Sequence, residues 1–151
     1  MSLKERISED IKTAMKAKDK IRLETVRGIK KLILEKETEI RPMGRDSLNP
    51  EEELGILTQL AKQRRDSIDQ YQKADRPELA EKEAQELVIL EEYLPQQLPE
   101  AEVRAIIEAI IAQVGASSPK DMGKVMGPAM AQLKGQADGK VVQAIVKDCL
   151  G

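Results

Sequence analysis

Lysine and glycine gather in the last third of this sequence. From Gly115 to Lys147 there are five lysines, two aspartates and no glutamate. The chain carries 25 basic and 27 acidic side chains, a net charge of −2, so the remainder is left at about −5. The net charge does not advertise nucleic-acid binding, but the tail is locally basic and the body acidic. Gly123, Gly127, Gly135 and Gly139 punctuate that tail. Lacking side chains, they let another backbone approach closely. Helix starts are expected near Ser118, Gly127 and Asp138, and open helix N-termini offer amide N–H groups to phosphates. Lys120, Lys124, Lys134 and Lys140 lie within a few residues of these starts. The chemistry so implied is phosphate contact. The plain alternative is glycines that end helices and lysines that solvate a surface.

Catalysis finds little support. The chain has no histidine, which removes Ser-His-Asp and Cys-His activation, imidazole zinc ligation and a proton shuttle near neutrality. Ser67 and Cys149 have no adjacent base. The single cysteine excludes an internal disulfide and a multi-cysteine metal site. The GKVMG stretch at Gly123 to Gly127 lacks the hydroxyl that a P-loop uses for magnesium, and no strand precedes it. The acidic clusters Glu35, Glu37 and Glu39, Glu51 to Glu53, and Glu91 with Glu92 sit one or two residues apart on predicted helices, so they do not converge. No catalytic residue, metal or cofactor is expected.

Lys62, Arg64 and Arg65 form the densest basic cluster of the body and a secondary anion-binding candidate. A solvated face balanced by Asp66 and Asp69 explains it better. Arg64 itself falls on an apolar stripe, where its stem packs and its head reaches water or a nearby glutamate.

The elements that must position these residues read as helices throughout. Phe and Trp are absent and Tyr occurs twice. The core must therefore come from Leu, Ile, Val, Met and Ala, which suits helix bundles. Ser2 with Glu5 is a capping box for helix 1. Asp19 caps a second helix, expected to end before the Ile40-Arg41-Pro42 stretch. Asn49, Pro50 and three glutamates start a third, running to about Lys73, with Leu54, Leu57, Ala61, Ile68 and Tyr71 inward. Asp75 with Glu78 suggests another capping box for a fourth helix reaching Tyr93, with Ala80, Ala84, Leu87 and Leu90 inward. Pro95 within the LPQQL stretch (Leu94 to Leu98) and Pro99 just after it set the domain boundary. Residues 1–94 are expected to form an antiparallel helical bundle, and 95–151 a small helical module. That module starts with a helix from about Pro99 to Val114, ended by Gly115. A brief helix follows, capped by Ser118 with Asp121 and broken at Gly127-Pro128. Another turn or two ends at Gly135, and Asp138 caps the last helix. The fold class is all-α.

No apolar run is long enough to cross a bilayer. The start, MSLKERISED, has no secretory apolar core, which predicts a cytoplasmic protein. Without Phe or Trp there is no stacking platform for unstacked bases. Any RNA must be held by shape, phosphate and ribose contacts.

Several segments resemble the GatB/YqeY family: Lys62 to Leu98 (KQRRDSIDQYQKADRPELAEKEAQELVILEEYLPQQL), RLETVRGIKKLILEKETEI, and the tail segments GKVMGPAM and GQADGKVV. The similarity covers nearly the whole chain. It implies a stand-alone member, an N-terminal helical bundle followed by the module that also ends the B subunit of the glutamine-using tRNA-dependent amidotransferase. There the module is a mobile helical domain that engages tRNA and holds neither the amidase nor the kinase centre. The resemblance implies RNA contact at Lys120, Gly123, Lys124, Gly127, Lys134, Gly135, Gly139 and Lys140. The chain departs from the pattern at Pro99, where a hydroxyl cap is expected, and at Pro128, which narrows the reach of the tail. The function so implied is a non-catalytic tRNA-binding accessory protein, with a protein partner docked on the N-terminal bundle and no DNA or membrane involved. Two alternatives stand beside it: direct participation in carbon–nitrogen ligation with glutamine as amido donor, and a protein-binding adaptor without RNA.

Overall fold

The computed structural model describes residues 1–151 and contains seven α-helices and no strand. It divides into two compact units, Met1–Leu94 and Pro95–Gly151. None of the helices is long and apolar enough to cross a membrane.

The first unit holds α1 (Leu3–Ala17), α2 (Lys20–Ile40), α3 (Pro50–Lys73) and α4 (Pro77–Glu91). Starts follow the capping logic of the sequence. Ser2 and Glu5 form a reciprocal capping box, and the Asp19 carboxylate accepts from the Arg22 N–H. Asn49 and Glu52 form a second capping box ahead of Pro50. Glu53 also accepts from the Leu3 N–H at 2.8 Å, so one first-turn glutamate of α3 satisfies an orphan donor of α1.

Two ends differ from expectation. Asp75 does not cap α4. It takes a left-handed conformation (φ 58°) at the end of α3, where its N–H donates to the Gln72 carbonyl and the Arg76 N–H to the Tyr71 carbonyl. This double bond pattern closes the last turn of α3. Arg76 then precedes α4 without a side-chain cap, and Pro77 occupies the first turn. Arg41 is helical despite preceding a proline, because the chain tightens there into a single 3₁₀ turn, Arg41–Met43. Pro42 sits in the first turn of that segment, where its missing N–H goes unused.

Ile7, Val26, Ile29, Ile33 and Leu90 are almost fully buried and centre the core of this unit. Each contributes about 1.5–3 kcal/mol by burial. On α3 the inward positions are Ile56, Leu57, Leu60 and Ala61, whereas Leu54, Ile68 and Tyr71 are only half-buried. Beyond Ala61 the inward line turns polar. Arg64 Nε lies 3.0 Å from Glu86 and 3.4 Å from Glu83, both on α4. On α4, Ala80, Ile89 and Leu90 are buried, Ala84 and Leu87 half-buried, and Glu86 is buried against the half-buried Arg64. Burial, followed by the nearby Glu86 charge, pushes the Glu83 carboxyl above its ordinary value. Tyr93 is buried, donates its hydroxyl to Asp10 and lies beneath the Arg6 guanidinium. Burial first, then the bond to Asp10, raises its pKa, so the phenol stays protonated as a donor.

The second unit holds α5 (Glu100–Val114), a 3₁₀ turn (Pro119–Asp121), α6 (Met122–Leu133) and α7 (Gly139–Leu150). Its three helices pack pairwise around Val103, Ile107, Val125, Ala129, Leu133, Val142 and Val146. Gly115 ends α5 in the left-handed region (φ 69°).

The Gly127-Pro128 break is absent. α6 is one continuous 12-residue helix with Pro128 inside it. Gly127 has no Cβ to meet the proline ring, so the usual penalty on the preceding residue is relieved. The N–H missing at Pro128 is the one that would bond the Lys124 carbonyl, and both residues are exposed. Val125, Ala129 and Leu133 meanwhile remain in register on the buried face.

Candidate nucleic-acid interface

The helical period sorts the tail candidates. With Val125, Ala129 and Leu133 turned to the core, Gly123, Lys124 and Gly127 fall on the outer face of α6, and all three are exposed. Lys120 is exposed in the 3₁₀ turn that leads into this helix. Lys124 Nζ lies 3.7 Å from Asp121 Oδ1, with the lysine side chain 70% exposed, so the pair is loose and screened. A Cβ at Gly123 or Gly127 would meet nothing within 4 Å. The outer face of α6 is thus a strip of bare backbone with a lysine on it and another at its approach.

α6 is held against its local preferences. Two interior glycines and a proline make it about 5 kcal/mol less favourable as a helix than alanine at the same places. Burial of Val125, Ala129 and Leu133 keeps it folded.

The other glycines are structural. Gly135, expected to contact RNA, is buried in the turn after α6 with φ 77°. Its carbonyl accepts from Gln97 Nε2 at 2.6 Å, and the neighbouring Gln136 carbonyl accepts from the Leu98 N–H at 2.9 Å. The LPQQL segment is therefore stitched to the α6–α7 turn, and Gly135 is buried within it. Gly139 opens α7 half-buried, and a Cβ there would sit 3.2 Å from Met130 Cε. Its bareness seats a methionine.

A carboxylate already sits at two of the three predicted helix starts, and the third does not exist. No helix starts at Gly127, so no amides open there. Ser118 makes no side-chain cap, but Asp121 Oδ2 accepts from the Ser117 N–H at 2.9 Å. That bond, with the Lys124 charge also contributing, holds the Asp121 carboxyl below its usual range. At α7 the Asp138 carboxylate accepts from the Lys140 N–H at 3.3 Å. A phosphate at either start would compete with a carboxylate already in place. The cationic side chains and the bare strip remain.

Lys134 and Lys140 are exposed, but Lys134 caps the far end of α6 and Lys140 lies beyond it. At 1.5 Å per residue, Lys134 lies about 15 Å along the axis from Lys124. Lys140 is on α7, opposite its buried line of Val142, Ile145 and Val146. The eight tail candidates therefore do not form one patch. Lys120, Gly123, Lys124 and Gly127 group together, Lys134 and Lys140 lie apart from them, and Gly135 and Gly139 serve packing.

The secondary cluster divides as well. Lys62 is exposed and Arg65 half-buried, while Arg64 is engaged with Glu83 and Glu86. Sequence reasoning missed Gln97 and Met130, whose parts rest on contacts with residues far along the chain or on the next helix. It also missed the double use of Asp121, an acid beside the lysine it was counted against. The half-buried Cys149 Sγ lies 3.5 Å from Arg104, which is paired with Asp148 at 2.9 Å.

Known proteins share this sequence pattern. The chain is 38% identical over 88 residues to a protein of the yeast Vanderwaltozyma polyspora named altered inheritance of mitochondria protein 41, mitochondrial, covering 58% of this chain and 46% of that one. It is 38% identical over 87 residues to the Kluyveromyces lactis protein of the same name (58% and 45%), and 34% identical over 90 residues to that of Lachancea thermotolerans (60% and 46%). The chain thus spans just under half the length of the curated relatives it matches. The family model described as Yqey-like protein matches residues 4–150, nearly end to end, and the chain belongs to the YqeY-like protein family.

Proposed function

We propose that this protein binds folded RNA of the tRNA class without acting on it chemically, and that the outer face of α6 makes the first contact. One observation carries this reading: the exposed strip of Gly123 and Gly127, with Lys124 on it and Lys120 at its approach, in a helix whose composition works against being a helix. Sequences depart from local preference mainly where a function requires it. Here the departure leaves bare backbone beside positive charge, which suits a phosphodiester chain lying close to the helix. Resemblance of the tail to the end module of the amidotransferase B subunit supports tRNA as the RNA class and a role accessory to tRNA-dependent amidation. Such a protein works wherever tRNA is found, in the cytoplasm or, as the names of the yeast relatives say of those proteins, in mitochondria.

The test is the salt dependence of binding to bulk tRNA. Every phosphate that a lysine no longer neutralises lowers the slope of log K against log salt by about 0.7–0.9. Replacing Lys120 and Lys124 by alanine should lower it by about 1.5. An unchanged slope in that double variant removes the α6 face from the interface. Ammonia released from glutamine by the purified chain would instead favour a direct part in carbon–nitrogen ligation.

A further inference from the structure

The first unit carries a second concentration of positive charge, hidden in the linear sequence by interspersed glutamates. α2 turns Val26, Ile29, Ile33 and Glu37 inward. At 100° per residue, Lys20, Arg27, Lys31 and Thr38 fall within about 40° of one another on the outward side, and Lys30 and Arg41 lie along one edge of that stripe. Lys20, Arg27, Lys31 and Arg41 are exposed and Lys30 is half-buried. Among the cations of α2 the ion pairs involve Arg22 and Lys36, not these five. Glu24 on the opposite flank faces Lys82 at 3.9 Å. Arg27, Lys30, Lys31, Leu34, Glu35 and Thr38 line a shallow, open concavity of about 420 Å³.

We infer that the outer face of α2 is a second RNA contact, a rail of five cations that tracks a phosphodiester backbone. From Lys20 to Arg41 the rail is about 31 Å long at 1.5 Å per residue. Duplex nucleic acid presents a phosphate about every 3 Å of axis on each strand, so a rail of this length faces several phosphates at once. The pattern fits a polyanion better than an apolar partner or a bilayer. Leu34 is the sole strongly exposed apolar side chain on α2, at 42%, and the helix's apolar face is spent on the bundle core. A helix lying in a membrane surface needs that face for insertion. That the polyanion is RNA rests on the function proposed above, but the residues of the rail are different ones.

The test uses the full chain and bulk tRNA. The triple variant Arg27→Gln, Lys30→Gln, Lys31→Gln should lower the salt slope by about 2 while leaving helical circular dichroism unchanged. The pair Lys12→Gln, Lys16→Gln removes exposed cations of α1 outside the rail and should leave the slope in place. An unchanged slope in the triple variant overturns the inference, as does an equal fall per charge in the control pair. A triple variant that loses binding to phosphatidylglycerol vesicles but keeps its tRNA slope also overturns it, assigning the face to lipid. The tail variant separates the two proposals. A lowered slope with Lys120 and Lys124 replaced, and none with the triple, refutes the rail alone. The reverse refutes the α6 reading and leaves the rail standing.

Discussion

Removing Arg64 should destabilise the first unit by about 2 kcal/mol at pH 7, and the loss should shrink on acidification. Arg64 bridges two α4 carboxylates, at 3.0 Å to Glu86 and 3.4 Å to Glu83, with side chains 21%, 10% and 22% exposed. Deleting one partner of a fully buried pair costs about 3–5 kcal/mol, because a charge is left buried without compensation. Partial exposure lets water reach all three groups here, which brings the expectation for Arg64→Met to about 2 kcal/mol. The sign of the pH dependence follows from the carboxylates. Glu83 is already raised above its ordinary value in the folded protein, by burial and then by Glu86. Loss of the guanidinium raises it further. A carboxyl whose folded pKa lies above its unfolded one costs stability at pH above both, and that cost disappears as the pH falls below the unfolded value. The defect should therefore be full at pH 7 and largely gone near pH 4. Both tyrosines lie in the first unit, and the chain has no tryptophan, so tyrosine fluorescence follows that unit during urea unfolding. At an m value of about 2 kcal/mol/M the midpoint should fall by about 1 M. A midpoint unmoved at pH 7, or a defect that grows on acidification, refutes the reasoning. Adding Glu86→Leu to Arg64→Met should restore much of the loss, since an apolar pair of similar volume substitutes well for a buried ion pair.

Three further outcomes follow from single positions. Gly123→Ala meets open space in a helical position, so it should stabilise the second unit by about 0.5–1 kcal/mol in thermal unfolding while weakening tRNA binding by covering the bare strip. Gly135→Ala places a side chain at φ 77° in a buried turn and should cost about 1 kcal/mol or more, with the tRNA salt slope intact. Tyr93→Phe removes the hydroxyl bonded to Asp10 and should lower stability by about 1–2 kcal/mol, read by circular dichroism during urea unfolding.

Much of the fold was legible because it rests on local chemistry. Ser2 with Glu5, Asp19, Asn49 ahead of Pro50, and Gly115 each act within one turn of their own position, and each sits where its residue type foretells. The misread places are those where tertiary packing overrides a local signal. Pro128 reads as a stop, yet the buried line on α6 carries the helix through it. Asp75 reads as a start, yet it closes the helix before. The candidate site was partly legible. Residue type gathered the tail lysines and glycines, but the helical projection of α6 turns Lys124 and Gly127 outward, whereas tertiary contacts take up Gly135 in the turn after α6 and Gly139 at the start of α7. The α2 rail escaped for a related reason. Glu24, Glu35, Glu37 and Glu39 alternate with its cations in sequence and cancel them there, whereas folding turns Glu37 into the core beside Lys4 at 2.9 Å, pairs Glu24 and Glu39 with other lysines, and leaves Glu35 alone of the four within the concavity.

Whether RNA lies against the outer strip of α6 decides the proposed function. Titrating bulk tRNA into the ¹⁵N-labelled chain and following glycine amides, which resonate apart from most others, reads this position by position. Gly123 and Gly127 should shift or broaden at the first additions, while the buried Gly135 holds its place. Signals that leave Gly123 and Gly127 untouched while tRNA is bound elsewhere, or a spectrum indifferent to tRNA, would contradict it.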